Sequence, residues 1–397
     1  MSELKGCLHI NEDLALTGGA EKMVRQVGIE LARRGFGVSF VSAQEFDGTT
    51  GLPEFVIPFL RHSYTGHTTP RHVRQLHTVM TRYGLNLVHV HNIGNDQLIR
   101  TVTDEFPVVK SVHDYRSICP AESRVSSTGA ICNQIIGDHC LGCMEQLGFD
   151  SEERVSRLSS VLHARDTMAR YKLIVVPSEY LKHQLIINGV TADKIQVIPP
   201  FVTYNPDQTA KNKDQYGDYD SDVLFVGRLT RGKGVEQLME AFSLVDRKYH
   251  MTVVGAVPDY LEPKDYPSLD DTDNRVRYTG WVDNAQTDRY YQGTKVCVIP
   301  AMMPEAFGIV GLEAMRNRKP VVAYNVGGIS EWLNNGQNGI LVPRGDTAGL
   351  AAAVERLLLD PDTAHEMGEK GHQILLARFT SDAHMERLLY HYRQVLK

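Results

Sequence analysis

The sequence predicts an α/β protein made of two doubly wound domains, in which helices cover a parallel sheet. Short apolar runs typical of buried strands alternate with helical patterns, as in GCLHI, EKMVRQVGIELARRG and GVSFVSA within residues 6–43. This alternation favours parallel strands joined by crossover helices. It stops after KIQVIPP at residues 194–200 and starts again with VLFVGRL at residues 223–229. We therefore expect two similar Rossmann-like halves that face each other across a cleft.

The predicted organisation is an N-terminal domain at residues 1–200, a linker at 201–221, a C-terminal domain at 222–379 and a final helix at 380–397. A length of 397 residues agrees with about two domains. The linker segment FVTYNPDQTAKNKDQYGDYDSD is polar and shows no helical or strand period. The last segment, SDAHMERLLYHYRQVLK, has the pattern of a helix.

Composition and charge limit the class of protein. The chain is 42% hydrophobic and 23% charged, which is ordinary for a soluble globular protein, and no run approaches the ~20 apolar residues of a membrane span. The N-terminal MSELKGCLHI runs directly into a strand pattern and lacks the regions of a signal peptide, so we expect a cytoplasmic protein. The net charge of −6 argues against a nucleic-acid partner.

The first candidate loop is NEDLALTGGAEKMV, because doubly wound sheets bind ligands at the carboxyl ends of their strands. Gly18 and Gly19 stand directly before a helix pattern, where bare backbone can approach a ligand and free N–H groups can bind an anion. An ordinary strand-to-helix turn explains the two glycines equally well. The segment is not G-x-G-x-x-G and gives no support to a nicotinamide enzyme.

The second candidate loop, VGRLTRGKG, follows the first strand of the second half. Arg228 and Lys233 are separated by a turn that contains Gly232, a spacing that lets both cations reach one polyanion such as a diphosphate. Taken alone, these charges would be interpreted as solvated.

The third candidate segment, EAFGIVGLE, places Glu305 and Glu313 around the start of another helix pattern. If the helix begins near Phe307 or Gly308, its first amides can bind phosphate, with Glu305 just outside and Glu313 further along the helix. Carboxylates repel phosphate, so their natural partners are the hydroxyl groups of a sugar and a ribose. Together with the second loop, this segment predicts a site for a ligand that carries both phosphates and sugar hydroxyls.

Four segments carry a resemblance to a known family: TGGAEKMVRQVGIELARRGFGV, FVGRLTRGKGVEQLMEAF, PEAFGIVGLEAMRNRKPVVAYNVGGISEWLNNGQNGILV and the terminal helix. Over nearly its whole length the chain resembles the family 4 glycosyltransferases of the GT-B fold. The most specific part is the E-x7-E segment with the VGGISEWL that follows it. The resemblance implies that the first domain binds an acceptor, that the second binds a nucleotide-sugar donor, and that the last helix crosses back to the first domain.

The resemblance also implies a role for each candidate residue. Arg228 and Lys233 would bind the donor diphosphate, Glu313 the nucleotide ribose, and Glu305 the donor sugar near its reacting carbon. His113, in KSVHDY at a strand end, matches the active-site histidine of the family. The implied donor-binding set is completed by Gly18, Gly19, Phe307, Gly308 and Ile309.

The reaction implied by the resemblance is transfer of a sugar, with retention of configuration, to a hydroxyl group in glycan, glycolipid or glycoconjugate synthesis. We expect no catalytic metal, since the D-x-D-like pair Asp271 and Asp273 falls in a polar loop and is interpreted as solvated. The sequence offers no evident second nucleophile, which favours departure and attack on the same face without a covalent intermediate. Two alternatives stay open: a nucleotide-sugar 2-epimerase and a non-catalytic nucleotide-sugar-binding protein.

The N-terminal half contains a basic segment. Residues 55–95 have no Asp or Glu but include four arginines and six histidines. Within TPRHVRQLHTVMTRYG, Arg71, Arg74 and Arg82 fall near one helical face. One interpretation is a solvated face. The other is docking of an anionic acceptor or an anionic membrane surface, which would make the protein peripheral at the membrane.

Four of the six cysteines fall in HDYRSICPAESRVSSTGAICNQIIGDHCLGC, which starts at His113. Cys119, Cys132, Cys140 and Cys143 have the spacing C-x12-C-x7-C-x2-C, whose closing pair lets two thiolates reach one metal ion. Three interpretations compete: a structural zinc site, reduced cysteines packed without metal, and disulfides or an iron–sulfur cluster, with a reducing cytoplasm disfavouring disulfides. We predict one zinc ion bound by all four thiolates, with no catalytic role because its coordination is complete.

Overall fold

The structure, a computed structural model, describes most of the chain. The described residues are 3–14, 18–44, 50–57, 60, 70–93, 96–204, 221–257 and 274–397. Most of the predicted linker lies outside them, as do both members of the D-x-D-like pair, Asp271 and Asp273.

The chain forms two compact units, each with its own sheet. Unit 1 comprises Met1–Pro200 and Ser381–Lys397, and unit 2 comprises Phe201–Thr380. The last segment of the chain therefore packs with the first unit. The second sheet begins at Ser221, the last residue of the predicted linker. Ser221 is buried, and its N–H donates to the Gly293 carbonyl at 2.9 Å.

Unit 1 contains a parallel sheet of seven strands within its described residues. The strands are β1 (Gly6–Ile10), β2 (Gly37–Ser42), β3 (Glu54–Val56), β4 (Leu87–Val90), β5 (Val108–Ser111), β6 (Leu173–Val176) and β7 (Ile195–Val197). Their order is β3-β2-β1-β4-β5-β6-β7, and every neighbouring pair is parallel. β1, β4, β5 and β6 are buried at every residue, as expected for central strands of a parallel sheet that is covered on both faces.

The helices of unit 1 connect these strands. Those described are α1 (Gly19–Arg33), α2 (Pro70–Arg82), α3 (Asp96–Glu105), α4 (His139–Gln146), α5 (Ser151–Thr167), α6 (Glu179–Ile187) and, at the end of the chain, α12 (Ser381–Val395). Side-chain caps fix two of the starts: Ser178 accepts from the Leu181 N–H at 3.0 Å, and Asp150 accepts from the Glu153 N–H at 2.8 Å. α12 packs against α1 and β5.

Unit 2 repeats this arrangement with a six-stranded sheet in its described residues. The strands are β8 (Ser221–Val226), β9 (Met251–Val254), β10 (Val276–Tyr278), β11 (Thr294–Ile299), β12 (Val321–Tyr324) and β13 (Gly339–Val342). The helices are α7 (Val235–Leu244), α8 (Asn284–Gln292), α9 (Ile309–Arg316), α10 (Thr347–Leu359) and α11 (Pro361–Arg378). The sheet order is β10-β9-β8-β11-β12-β13, again parallel throughout.

Both sheets have the doubly wound order, so the predicted α/β class with two Rossmann-like halves is confirmed. The direction in which strands are added reverses between β1 and β4 in unit 1, and between β8 and β11 in unit 2. The carboxyl ends of the strands at such a point leave a crevice where this fold binds ligands. Arg228 follows β8 and Glu305 follows β11, so the topology brings these two predicted segments to one edge of the second sheet.

Candidate functional site

In unit 2 the backbone ties the loop after β8 to the loop after β11. The N–H groups of Met302 and Met303 both donate to the Gly232 carbonyl, each at 2.9 Å. Gly234 has a φ of 76°, and a Cβ atom at this position would stand 1.7 Å from the Pro300 carbonyl oxygen. Glycine alone permits this approach, because any side chain would collide with backbone. The RGKG segment is therefore held against the segment that leads to Glu305.

Lys233 lies in the first of these loops and forms an ion pair with Glu305. Its Nζ donates to Glu305 Oε1 at 2.6 Å, and the two side chains are 25% and 11% exposed. A nearly buried carboxylate needs a cation beside it, since an unpaired buried charge is strongly unfavourable. The structure thus brings together a residue predicted for the diphosphate and a residue predicted for the sugar. Arg228 is exposed, and its side chain has no partner among the described residues.

The glycines of VGGISEW hold the backbone of Glu305. The Gly328 N–H donates to the Glu305 carbonyl at 2.8 Å. Gly327 has a φ of 59°, and a Cβ atom there would lie 2.1 Å from the same carbonyl oxygen. Further along, Trp332 Nε1 donates to the Phe307 carbonyl at 2.7 Å. The two segments that carry the most specific part of the resemblance are therefore in direct contact.

Helix α9 begins at Ile309, with Gly308 immediately before it, in agreement with the start expected from the sequence. Glu313 is buried on this helix and accepts a hydrogen bond from the Tyr291 hydroxyl of α8, with an Oη–Oε2 distance of 3.3 Å. Burial and the adjacent Glu313 charge raise the pKa of Tyr291 well above its ordinary value, so the phenol remains a hydrogen-bond donor. Sequence reasoning missed Tyr291, because nothing in TDRYYQ distinguishes it from a core tyrosine.

In unit 1, His113 is the outermost ring of a chain of hydrogen-bonded imidazoles. His113 Nε2 pairs with His91 Nδ1 at 3.1 Å, and His91 Nε2 pairs with His9 Nδ1 at 3.0 Å. Consecutive rings are stacked, with interplanar angles of 20° and 14°. A neutral imidazole has one N–H and one lone pair, so the two hydrogen bonds run in the same direction along the chain. His9 and His91 are buried and thereby fix the ring of His113.

Burial keeps these three imidazoles neutral. It lowers the pKa of His9 to about 3 and that of His113 to about 4. It also lowers the pKa of His91 well below its ordinary value, with smaller contributions from the neighbouring histidines. At neutral pH the His113 ring is therefore a neutral donor or acceptor of hydrogen bonds and carries no charge.

A further ring, His89, is buried and packs against His9 and His91. His89 Nε2 pairs with the Ser111 hydroxyl at 2.7 Å, and its other nitrogen pairs with the Tyr392 hydroxyl of α12. Within the described residues, His9, His89 and His91 form the one group of three or more potential ligands whose nitrogens all lie within 4.8 Å of one another. Because most of these nitrogens are already hydrogen-bonded, we interpret the group as a packed polar cluster and not as a metal centre.

The two predicted glycines stand at the start of α1. The helix begins at Gly19, and Gly18 before it is extended, with a φ of −156°. The Glu21 carboxylate lies against Gly18, and burial raises its pKa. Nearby, Arg116 Nη2 donates to Asp114 Oδ2 at 2.7 Å. These three charged residues were missed by sequence reasoning, and the anion-binding role of the glycines stays a prediction.

The four cysteines lie in one region of unit 1 as free thiols. Cys119 is buried and the other three are half-buried. Across the described chain, no three of their sulfurs lie within 4.8 Å of one another. The thiols are therefore not arranged around a common coordination centre. The structure leaves the predicted zinc site untested.

The basic face predicted for the N-terminal half is exposed. Arg74 and Arg82 of α2 are exposed, whereas Leu76 and Met80 are buried, which agrees with the amphipathic pattern. The side chain of Arg71 lies outside the described part of the structure. Of the helices that the structure describes, none combines the length and apolar character needed to span a membrane.

The fold and the arrangement of its loops define the class of protein, a two-domain α/β protein of the GT-B architecture. Sucrose-phosphate synthase from Thermosynechococcus elongatus matches with a TM-score of 0.73 and 21% identity over 99% of both chains. HepE from Anabaena, whose crystal structure is a complex with UDP, matches with a TM-score of 0.72 and 18% identity over 98% of this chain and 100% of that chain.

Sequence comparisons identify the family. Residues 17–205 match the model of Glycosyltransferase Family 4, and residues 207–374 match the model of Glycosyl transferases group 1. Alpha-D-kanosaminyltransferase from Streptomyces kanamyceticus is 31% identical over 190 residues, which are 47% of this chain and 49% of that relative. The chain spans about half the length of the curated relatives it matches. The chain belongs to the family 4 glycosyltransferases, and the resemblance is confirmed.

Proposed function

We propose that the protein is a retaining glycosyltransferase that moves a sugar from a nucleoside diphosphate to an acceptor hydroxyl group in the synthesis of a glycan, glycolipid or glycoconjugate. The observation that supports this best is the Lys233–Glu305 ion pair, which lies at the carboxyl ends of the adjacent strands β8 and β11 and just before α9. A cation, a carboxylate and a helix N-terminus at one place suit a ligand with phosphates on one side and hydroxyl groups on the other.

Lys233 removes the repulsion that Glu305 would exert on a diphosphate. The ammonium group balances the carboxylate, so an anion can approach the loop. Arg228 is exposed and has no side-chain partner among the described residues, so it can form charge-assisted hydrogen bonds to phosphate oxygens. The N–H groups of Gly308 and Ile309 add the positive end of a helix dipole. When the bond between sugar and phosphate breaks, negative charge grows on the departing diphosphate, and these groups stabilise it where it develops.

The carboxylates are proposed to bind hydroxyl groups. Glu305 accepts hydrogen bonds from the donor sugar, since one ionised carboxylate can take two donors. Glu313 accepts from the ribose, and the Tyr291 hydroxyl that already donates to Glu313 sets the direction of its carboxylate. His113 is proposed to bind the transferred sugar as a neutral imidazole, with its ring held by His91.

The proposed chemical step takes place on one face of the sugar. The bond from the anomeric carbon to the phosphate oxygen breaks, the acceptor oxygen bonds to the same carbon from the same side, and the acceptor proton passes to the departing phosphate oxygen. No side chain forms a covalent bond to the sugar. Lys233, Arg228 and the helix N-terminus supply the positive charge that the leaving group needs, so we expect no catalytic metal.

A radiolabelled nucleotide sugar tests the proposal. Candidate donors are first ranked by thermal shift, because a ligand that binds the folded state raises the melting temperature. The label is then followed in the presence of sugar and lipid-linked acceptors. Label in a glycosylated acceptor supports the transferase. Label in an epimerised nucleotide sugar would instead identify a 2-epimerase, and tight binding without any conversion would identify a non-catalytic binding protein.

A further inference from the structure

The imidazole chain of unit 1, formed by His9, His91 and His113, follows from the register of the sheet. His9 lies in β1 opposite His89 of β4, and β5 is the next parallel neighbour of β4. Side chains two positions apart lie on one face of a strand. Each step from His9 to His91 to His113 therefore crosses to the next strand and moves two residues toward the carboxyl ends. The imidazole chain leads from the interior to the edge of the sheet where doubly wound folds bind ligands.

Backbone contacts hold the middle ring of the imidazole chain in place. The His91 N–H donates to the Ile10 carbonyl at 2.9 Å. The His91 carbonyl accepts a hydrogen bond from Nζ of Lys110, whose side chain is buried. These contacts fix the backbone of His91 without using its ring. Both ring nitrogens therefore remain for the hydrogen bonds to His9 and His113.

The nitrogens at the two ends of the imidazole chain decide the direction of its hydrogen bonds. Burial lowers the pKa of each ring, so each is neutral at neutral pH and carries a single N–H. At the inner end, His9 Nε2 is buried and has no hydrogen-bond partner within the described part of the protein. At the outer end, His113 Nδ1 has no partner there either, but this ring is half-buried and lies at a strand end. One of these two nitrogens must carry an N–H, and the other a lone pair.

The inner end is the less favourable place for the N–H. Buried N–H groups without an acceptor are rarer in proteins than acceptors that lack a donor. The lone pair is therefore assigned to His9 Nε2, and His9 donates from Nδ1 to His91 Nε2. His91 in turn donates from Nδ1 to His113 Nε2. Only Nδ1 of His113 is then left to carry the hydrogen of that ring.

We propose that His91, itself oriented by His9, is a positioning residue that holds His113 in the tautomer with its hydrogen on Nδ1. His113 then donates a hydrogen bond from Nδ1 to an oxygen atom of the transferred sugar. It does not act as a general base, because its one lone pair is occupied by His91. The choice of ligand rests on the proposed function, whereas the tautomer is measured without any ligand.

Long-range proton–nitrogen correlation spectra of protein labelled at the histidine ring nitrogens test the tautomer at neutral pH. Protonated and unprotonated ring nitrogens give well-separated signals, so we expect hydrogen on Nδ1 of His113, His91 and His9 in the native protein. In His91→Phe the donor to His113 is gone, and His113 should populate both tautomers. His89→Phe is the matched control, because His89 packs against His9 and His91 but is hydrogen-bonded to other groups. This variant should leave the His113 signals unchanged.

The role of the tautomer in binding is measured separately. Saturation with the nucleotide sugar that ranks highest in thermal shift should move the Nδ1 proton signal of His113. Single-turnover transfer should fall about tenfold in His91→Phe, as expected when one hydrogen bond that orients the ring is lost. Affinity for the free nucleoside diphosphate should stay the same. A nucleotide sugar that binds without moving the Nδ1 signal would overturn the assigned contact.

Three spectra would overturn the tautomer itself. The first shows hydrogen on Nε2 of His113 in the native protein, and the second shows a mixture of both tautomers there. The third shows one and the same tautomer in the native protein and in folded His91→Phe, which would mean that the imidazole chain does not set it. If His91→Phe does not fold, the native spectrum still decides. Native protein that shows the expected tautomer but transfers no sugar would support this inference and contradict the proposed function alone.

Discussion

The two units share a doubly wound sheet order but hold their predicted site residues at the carboxyl ends of the strands in different ways. Unit 1 presents His113, which a buried and neutral pair, His91 and His9, holds in place. Unit 2 presents ions, the Lys233–Glu305 pair and an exposed Arg228. A neutral buried chain gives orientation and is insensitive to salt, whereas paired ions give attraction for an anion and depend on both partners. We therefore expect substitutions in unit 2 to reduce ligand binding and sugar transfer, and acid to reduce the stability of unit 1.

The largest effect is expected at the ion pair of unit 2. Glu305→Gln keeps the shape of the side chain, and its amide oxygen can still accept a hydrogen bond from Lys233. It loses the negative charge that is proposed to bind the sugar hydroxyl groups. Transfer should fall by about 10²–10³-fold, while the affinity for the free nucleoside diphosphate survives. Single-turnover assays and calorimetry measure the two quantities. Glu236→Gln, which alters an exposed ion pair with Arg231, is the control. Normal turnover in Glu305→Gln would remove this residue from the mechanism.

The second prediction separates the contributions of the two cations in the loop after β8. Lys233→Ala and Arg228→Ala should each weaken nucleoside diphosphate binding, because each removes a charge-assisted contact worth about 1.5–3 kcal/mol. Lys233→Ala should reduce the affinity more than Arg228→Ala, since it also leaves the Glu305 carboxylate unpaired near the phosphates. Arg228 is exposed, so solvent screens its contribution.

Two further variants separate these contributions. Adding Glu305→Gln to Lys233→Ala should restore part of the lost affinity, because the repelling charge is gone. Arg231→Ala is the matched control, as Arg231 is a cation of the same loop whose side chain is 75% exposed and paired with Glu236. Unchanged affinity by calorimetry in both single variants would place the diphosphate elsewhere.

The difference between the units also explains what the sequence could predict. Arg228, Lys233 and Glu305 lie in short segments whose spacing and helix start are visible along the chain. The pair of His9 and His91 joins residues 82 positions apart, and it exists only because β1 and β4 are neighbours in the sheet. Two strands of the described chain are not evident from the sequence: β3 has only three residues and none is buried, and β13 is the four-residue GILV at the end of the segment that follows Glu305.

The third prediction tests the neutral chain of unit 1 through acid. His9 and His113 have pKa values lowered to about 3 and about 4, and His91 is shifted in the same direction. Below the ordinary value of about 6.5, the unfolded state therefore binds more protons than the folded state, and stability falls as pH decreases toward 4. Above about pH 6.5 these imidazoles are neutral in both the folded and the unfolded state, so this loss of stability is absent there.

Hydrogen exchange measured at pH 7.5 and pH 5 should show this acid-dependent loss of stability in unit 1 and a smaller loss of stability in unit 2. The decisive quantity is the change in the free energy of unfolding between pH 7.5 and pH 5. A variant that is only less stable has a lower free energy of unfolding at both pH values, and the change between them stays the same. His91→Phe should reduce that change, since one buried imidazole no longer needs to be protonated on unfolding. The same dependence on pH in His91→Phe and in the native chain would show that the imidazole chain does not control the acid response.

The smallest effect is expected at the basic face of α2, outside both strand-end sites. We predict that Arg74 and Arg82, both exposed, attract vesicles rich in phosphatidylglycerol, and that Arg74→Gln or Arg82→Gln lowers binding about fivefold, as expected for about 1 kcal/mol per cation near an anionic surface. Co-sedimentation in low salt measures the effect, and neutral phosphatidylcholine vesicles and Arg33→Gln, an exposed arginine of α1, are the controls. Equal binding to both kinds of vesicle, or none, would identify the face as a solvated helix surface.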